Sequence, residues 1–342
     1  MALIQTRRGF LGGIAAAGMA GLSYAPGILA AEGKLETTSV RLMNQPALCL
    51  APQYLAKEFL RAEGFTDIRY VPLPPGINTP EGIDRGIIDF GSNYAPVQIA
   101  GVDRGSAMTM LAGVEVGCFE LFVNGELHGI ADLKDRSVGI QALGSFDHWF
   151  LSVITANVGI DPHTDIHWVT AASPAGSKER VSPKQLFIDG KIDAFLGVPP
   201  DPEELRAEHI GRVVLNSSLD RPWSQYFCCM LAGNNNYIRA HPVATKRVVR
   251  AILKAADFCA AEPATAARRL VEGGSTKNYD YALQTMHDVV YDKWREYDAE
   301  DTIRFYALRL RDIEVIKSTP QQIITQGTDW RFLNELKREL KT

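Results

Sequence analysis

The sequence has few cysteines for its length, and they do not form a disulfide framework. Only five occur among 342 residues, at positions 49, 118, 228, 229 and 259. An odd number with an adjacent pair does not match the even, spaced pattern of disulfide-stapled domains. Adjacent side chains in a strand also point to opposite faces and pair poorly. We therefore interpret Cys228 and Cys229, like the other three, as small buried apolar residues.

Other absences exclude whole classes of function. Beyond residue 31 no stretch is long and apolar enough to span a bilayer, which takes about 20 residues. The formal net charge is −4, which argues against nucleic acid or an anionic membrane as partner. No G-x-x-x-x-G-K-[ST] loop occurs, so the chain is not itself an ATPase. No metal-binding or nucleophile motif occurs either, and we expect no metal, no cofactor and no catalytic residue.

The first residues have the pattern of an export leader. Arg7 and Arg8 precede Gly-Phe-Leu and a run of small apolar residues, the pattern of a twin-arginine signal. Repeated glycines and Pro26 make this run unsuitable as a membrane anchor, and no cysteine follows it for lipid attachment. Ala30 and Ala31 offer a cleavage site. We predict that residues 1–31 are removed and that the protein works in the periplasm.

The rest of the chain alternates short apolar runs with amphipathic segments until residue 232. Such alternation predicts α/β structure, with open and mostly parallel sheets covered on both faces. The pattern occurs twice, which predicts two Rossmann-like α/β lobes joined by two crossings near residues 124–129 and 216–226. A helical region follows. The expected units are lobe 1 at 38–125 and 227–342, including the C-terminal helices, and lobe 2 at 126–226.

Four stretches then carry a likeness to a known family. Residues 86–92 read Gly-Ile-Ile-Asp-Phe-Gly-Ser, residues 130–140 contain Asp-Leu-Lys-Asp-Arg-Ser-Val-Gly, and residues 189–195 contain Gly-Lys-Ile-Asp-Ala. His-Pro at 241–242 opens a long helix that runs to Glu-Pro at 262–263. In their order and spacing these stretches resemble the type II periplasmic substrate-binding proteins of ABC importers, in the nitrate, sulfonate, taurine and thiamine-precursor class. Asp135 stands where that family usually has glycine.

The resemblance implies a solute-binding subunit with two lobes around a cleft. Such a subunit closes on a small molecule by a hinge at the crossings and delivers it to a membrane permease that has a separate ATPase subunit. We expect a monomer with no nucleic-acid partner. Two alternatives remain. One is an enzyme like the yeast pyrimidine synthase of thiamine synthesis, of which Cys228 and Cys229 are a faint echo. The other is a ligand-sensing subunit of a signalling system.

The positions of the binding residues follow from a general rule for α/β sheets. Ligands bind outside the carboxyl ends of strands, often at helix N-termini, and the resembled family uses matching loops. Five loops are selected in this way, at residues 44–46, 92–94, 141–148, 197–200 and 220–226. The predicted ligand-binding residues are Asn44, Gln45, Ser92, Asn93, Gln141, Gly144, Ser145, Phe146, His148, Pro199, Trp223 and Tyr226.

Two parts of this set suggest the ligand's chemistry. Gly144 and Ser145 open a helix, whose free N–H groups would stabilise an anion, unless Ser145 only caps the helix. Trp223 and Tyr226 would clamp a planar organic molecule, unless they only pack at the hinge. The amides and hydroxyls have turn and capping roles as their alternative. We therefore expect a small organic ligand, anionic or heterocyclic.

Overall fold

The computed structural model describes residues 33–45, 47–74, 76–171 and 181–340. The predicted leader at 1–31 lies outside the described residues. Within these ranges, ten strands form two five-stranded sheets. We refer to each sheet with its covering helices as a lobe.

The first sheet has the order β2-β1-β3-β10-β4. Its strands are β1 (Ser39–Asn44), β2 (Asp67–Pro72), β3 (Phe90–Tyr94), β4 (Met108–Val116) and β10 (Phe227–Asn234). The helices between them are α1 (Ala51–Ala62), α2 (Thr79–Asp84) and α3 (Ala95–Asp103). A short 3-10 helix, Leu48–Leu50, precedes α1.

The second sheet has the order β7-β6-β8-β5-β9. Its strands are β5 (Glu120–Val123), β6 (Arg136–Ile140), β7 (Ile166–Thr170), β8 (Ala194–Gly197) and β9 (Arg212–Asn216). The helices between them are α4 (Phe146–Asn157), α5 (Pro183–Ile188) and α6 (Asp201–Ala207), with a 3-10 helix at Ile130–Leu133. A further 3-10 helix, Trp223–Gln225, lies in the passage back to the first sheet.

The chain is helical after β10. The helices are α7 (Asn235–Ala240), α8 (Pro242–Ala261), α9 (Pro263–Glu272), α10 (Tyr279–Asp288), α11 (Ala299–Asp312), α12 (Pro320–Gly327) and α13 (Arg331–Glu339). Long helix α8 packs on α1 and β4, so the helical region covers the first lobe. Helix α10 also touches α6 of the second lobe. None of the helices in the described ranges is both long and apolar enough to cross a membrane.

The sequence prediction of two α/β lobes with a helical C-terminal region is confirmed, with two corrections. The sheets are mixed rather than mostly parallel, because β10 runs antiparallel to β3 and β4, and β5 runs antiparallel to β8 and β9. The first passage between the sheets lies at residues 117–119 rather than at 124–129, because β5 belongs to the second sheet. The second passage, at 217–226, is where the pattern predicted it.

The two passages lie side by side. Ser217 Oγ accepts hydrogen bonds from the backbone N–H groups of Cys118 and Phe119, at 3.1 and 2.9 Å. Gly117 has φ +66°, and a Cβ there would lie 2.4 Å from the backbone of Ser218. Glycine is therefore required at 117 both for the left-handed backbone and for the close approach.

Candidate functional site at the junction of the two lobes

Each of the five predicted loops, or the element it leads into, contacts another across the lobe junction. The backbone N–H of Leu48, after β1, donates to the carbonyl of Pro199, after β8, at 3.3 Å. Tyr94 at the end of β3 makes an edge contact with Phe150 of α4, with ring centroids 5.6 Å apart. Trp223 in the second passage meets the same Phe150 at 5.4 Å. The strand ends of the two sheets therefore converge, as the general rule requires.

An aromatic wall fills the centre of this junction. It consists of Tyr94, Phe119, Phe146, Phe150, Trp223, Phe305 and Tyr306, linked by ring contacts between 4.9 and 5.8 Å. Predicted Phe146 stacks on Phe119, whereas predicted Tyr226 stacks on Phe305 at 3.7 Å. Trp223 is only 3% exposed. Trp223 and Tyr226 therefore pack against other aromatic side chains, which is the alternative role that the sequence left open for them. Their contact with a ligand stays a prediction.

The predicted polar residues of the first lobe lie at the ends of β1 and β3. Asn44 is exposed and Gln45 is half-buried, with its N–H donating to Tyr54 Oη at 3.0 Å. Ser92 is buried, and its hydroxyl has no hydrogen-bond partner among the described residues. The side chain of Asn93 has local partners, Thr79 Oγ1 and its neighbour's N–H, both at 2.7 Å.

Sequence reasoning missed the residue that joins these two strand ends, Gln53. This side chain is fully buried, donates to Met43 O and accepts from Ser92 N, both at 2.7 Å. It lies on α1, where a single glutamine has no pattern that separates it from a surface residue. Its two hydrogen bonds fix the spacing between the ends of β1 and β3.

The start of α4 was predicted to bind an anion, and it is the part of the predicted site where the structure departs most from expectation. Asp147, 3% exposed, accepts hydrogen bonds from the N–H groups of Gln141 and His148, at 2.6 and 3.0 Å, and contacts the Ser145 hydroxyl. Gly144 N donates to His148 Nδ1 at 3.0 Å. Ser145 occupies the cap position without capping the helix through its side chain. Donors that an anion would have used thus already serve the protein's own carboxylate.

Burial controls the protonation of both ionisable groups in this turn. It raises the pKa of Asp147, although hydrogen bonds from Ser145, Gln141 and His148 act in the opposite direction. Burial also lowers the pKa of His148 to about 4, with a smaller contribution from His163. A neutral His148 fits its geometry, because Nδ1 must be unprotonated to accept from Gly144.

This predicts a pH dependence of stability. The folded pKa of His148, about 4, lies below its ordinary value of 6.5. The group's contribution is therefore complete above pH 6.5 and is lost as the pH falls from 6.5 to 4. We expect a loss of about 1–2 kcal/mol over this window, after discounting for the half-buried ring.

The measurement is urea unfolding at pH 7 and pH 4.5, on wild type and His148→Asn, which keeps an acceptor. We expect the variant to lose less stability than wild type between the two pH values. Imidazole C–H shifts in the wild-type NMR spectrum provide a direct check. An imidazole that titrates near 6.5 would contradict the buried, neutral assignment.

Next to the aromatic wall lies a cluster of side chains that the sequence motifs did not indicate. Glu115 near the end of β4, Cys118 in the first passage, and Cys228 and Cys229 in β10 place one ligand atom each within 4.8 Å of one another. We call these four residues the thiol–carboxylate cluster. Glu115 is fully buried, and neither of its carboxylate oxygens has a hydrogen-bond partner among the described residues. One feature of the sequence could have indicated this cluster. Glu115 is the single charged residue in the apolar strand β4, and charged residues are rare in buried strands.

Two surface cavities are separate from the predicted loops. They have volumes of 280 and 430 Å³ and lie where the second half of α4 and its following loop meet the end of α11. Arg309, Asp312 and His163 are among their lining residues.

The sequence matches the model of the NMT1-like family over residues 33–272. The chain therefore belongs to the NMT1-like family. No curated protein sequence matches it. The fold is that of periplasmic binding proteins, as the following structures show.

Among similar solved structures is the alkanesulfonate-binding protein SsuA from Xanthomonas axonopodis pv. citri bound to MOPS, with 17% identity, a TM-score of 0.69, and coverage of 87% of this chain and 100% of that one. The periplasmic nitrate-binding protein NrtA from Synechocystis PCC 6803 has 14% identity, a TM-score of 0.70 and 90% coverage of both chains. An enzyme shares the fold as well. The desulfurization enzyme DSZB has 16% identity, a TM-score of 0.58, and coverage of 89% and 99%.

Proposed function

We propose that this protein is the solute-binding subunit of an ABC importer and that it captures a small organic molecule between its two lobes. The convergence of both sheets' strand ends at one junction carries this proposal. Binding proteins for alkanesulfonates and for nitrate share the fold, which supports a transport role. The predicted leader supports work in the periplasm.

The chemistry at the junction favours a planar heterocycle over a small inorganic anion. The start of α4 already holds the carboxylate of Asp147, and an anion placed there would be repelled. The rings of the aromatic wall are packed and largely buried against one another in this arrangement, and separation of the two lobes would expose ring faces and edges that suit stacking. The hydroxyl of Ser92 and the exposed amide of Asn44 remain as polar contacts.

The first experiment is a thermal-shift screen of the purified protein against sulfonates, carboxylates, nitrate and pyrimidines. A ligand that binds only the folded state raises the melting temperature, and the shift grows with the logarithm of the ligand concentration over its Kd. We expect pyrimidine-type heterocycles to give the largest shifts and nitrate to give none. Calorimetry then gives the Kd of each hit.

Asp147→Asn separates the two ligand classes, because it removes a charge and keeps the shape. We expect its affinity for an anion to rise, because the repelling charge is gone, whereas affinity for a neutral heterocycle should change little. Asp161→Asn, on the loop after α4, is a matched control at an exposed carboxylate. A screen without any hit would contradict solute capture.

Transport is tested separately from binding. Cells lacking the gene should lose uptake of the compound found in the screen and regain it from a plasmid copy. Normal uptake in such cells together with tight binding would favour the sensing alternative. Chemical conversion of the compound by the purified protein would instead favour an enzyme, the alternative to which the fold of DSZB gives support.

A further inference from the structure

The thiol–carboxylate cluster is a buried polar group that solute capture does not use. Its four residues are between 0% and 5% exposed. The Glu115 carboxyl lies there without a hydrogen-bond partner, and burying such a group is costly unless it is neutral or bound to a cation. Burial raises the pKa of Glu115.

The backbone brings the three sulfurs to this carboxylate by an irregular pairing of β10 with β4. Cys229 pairs with Glu115, and the register shifts between Phe227 and Cys229 and again between Cys229 and Met230. Such bulges re-aim side chains. As a result the adjacent Cys228 and Cys229 have their sulfurs 3.9 Å apart on one side of the strand, rather than on opposite faces as the sequence analysis expected. Cys118 Sγ lies 2.9 Å from Cys228 Sγ.

We propose that the thiol–carboxylate cluster binds a thiophilic divalent metal ion of the zinc type. Three sulfurs and one carboxylate oxygen make the four-ligand, sulfur-rich set that suits such an ion. With Zn–S bonds of about 2.3 Å, tetrahedral ligands lie about 3.8 Å apart. The sulfur separations of 2.9 and 3.9 Å lie on either side of this value, so small side-chain rotations would complete the site.

The surroundings are arranged for such an ion in two further ways. Hydrogen bonds from Cys118 N and Phe119 N to Ser217 hold the loop that carries Cys118, so one ligand is positioned in advance. The hydroxyl of Tyr94 is buried beside that of Tyr306, and Cys118 and Cys228 are its neighbours. An O–H at this place can donate to a metal-bound sulfur, as outer partners of metal ligands do.

The sequence motifs indicated no metal because the ligands come from three separate stretches of chain. The ligands lie at positions 115, 118 and 228–229, and only the pairing of β10 with β4 brings them together. A competing chemistry uses the same atoms, since Cys118 and Cys228 are close enough to oxidise to a disulfide. The two possibilities exclude each other, because a disulfide removes two of the three thiolates.

The test uses purified, reduced, metal-free protein titrated with Co²⁺ and then with Zn²⁺. Cobalt reports sulfur ligands through a thiolate-to-metal charge-transfer band in the near ultraviolet. We expect one Co²⁺ per chain with this band, and its displacement by one Zn²⁺. X-ray absorption at the zinc edge of the wild-type protein should show sulfur at about 2.3 Å and oxygen at about 2.0–2.2 Å from the zinc ion. This measurement does not depend on whether any variant folds.

Variants then assign the ligands. Cys228→Ser and Cys229→Ser should abolish the charge-transfer band. Glu115→Gln should keep the band but weaken binding by roughly tenfold or more, the scale seen even for partners one step removed from a metal. Cys259→Ser is the matched control, because this thiol is also fully buried but is not part of the cluster, and it should bind as wild type does.

Three results would overturn the proposal. The first is the lack of a charge-transfer band in folded protein whose five thiols are all reduced. The second is a Cys118–Cys228 disulfide found by peptide mapping of protein isolated without reductant. The third is equal loss of binding in Cys259→Ser. These outcomes do not depend on the solute screen, so failure of the metal site and failure of the proposed function are distinguishable.

Discussion

Replacing Trp223 with alanine is expected to destabilise the protein by about 3–5 kcal/mol, the range for removing a large aromatic side chain from a core. The indole is 3% exposed. It packs edge-on against Phe150 of α4, at 5.4 Å, and against Phe305 of α11, at 5.7 Å. The substitution leaves a cavity between the second passage, α4 on one side of the junction and α11 on the other. Urea denaturation of wild type and variant measures this loss.

Trp223→Phe is the matched variant, because it keeps an aromatic ring for both contacts and leaves a much smaller cavity. We expect it to cost less than half as much as Trp223→Ala. The affinity of both variants for a ligand from the screen is then measured under conditions where both are folded. This measurement shows whether Trp223 acts in packing or in ligand recognition. A Trp223→Ala variant with nearly unchanged stability but weakened binding would assign Trp223 to the ligand instead.

Local patterns predicted most of the elements because these patterns depend on neighbours in sequence. Proline near the start of the run after His241 and its helical spacing of apolar residues indicate a long helix, and α8 spans Pro242–Ala261. Proline at the first turn and alternating or helical spacing of apolar residues are signals that tertiary contacts rarely reverse.

Strand direction and sheet membership were less predictable because they depend on distant partners. Nothing local in β5 distinguishes a strand of the first sheet from one of the second. Its assignment rests on pairing with β8 and β9, more than 70 residues away along the chain. The same holds for the register shifts in β10 on either side of Cys229, and they decide where Cys228 and Cys229 point.

In the candidate site, too, some features were predictable from the sequence and others were not. The rule that ligands bind beyond strand ends selected loops that do meet at the junction. The rule could not show that Asp147 would turn back onto the start of its own helix and accept two backbone N–H groups there. An acidic residue in the first turn is favourable for any helix, so the sequence alone does not reveal whether the protein or a ligand supplies the negative charge.

A second large effect is expected from the buried ion pair that joins α8 to the end of α1. Arg250 is fully buried, and Glu63 is 2% exposed. The guanidinium binds the carboxylate through two hydrogen bonds, from Nε at 2.9 Å and from Nη2 at 2.5 Å. Arg250→Met leaves the carboxylate buried without its bidentate partner. We expect a loss of about 3–5 kcal/mol in the free energy of unfolding.

The double variant Arg250→Met/Glu63→Leu distinguishes the cost of an unpaired charge from the value of the pair. Replacing both charges with apolar side chains of similar size is often neutral or stabilising, so we expect it to recover most of the loss. The control is Arg69→Met, which breaks an equally bidentate pair with Asp67 whose side chains are 63% and 42% exposed. That loss should stay below about 1 kcal/mol. If the double variant were as unstable as Arg250→Met, the missing contribution would be packing of the arginine stem against α1, and the charge argument would be wrong.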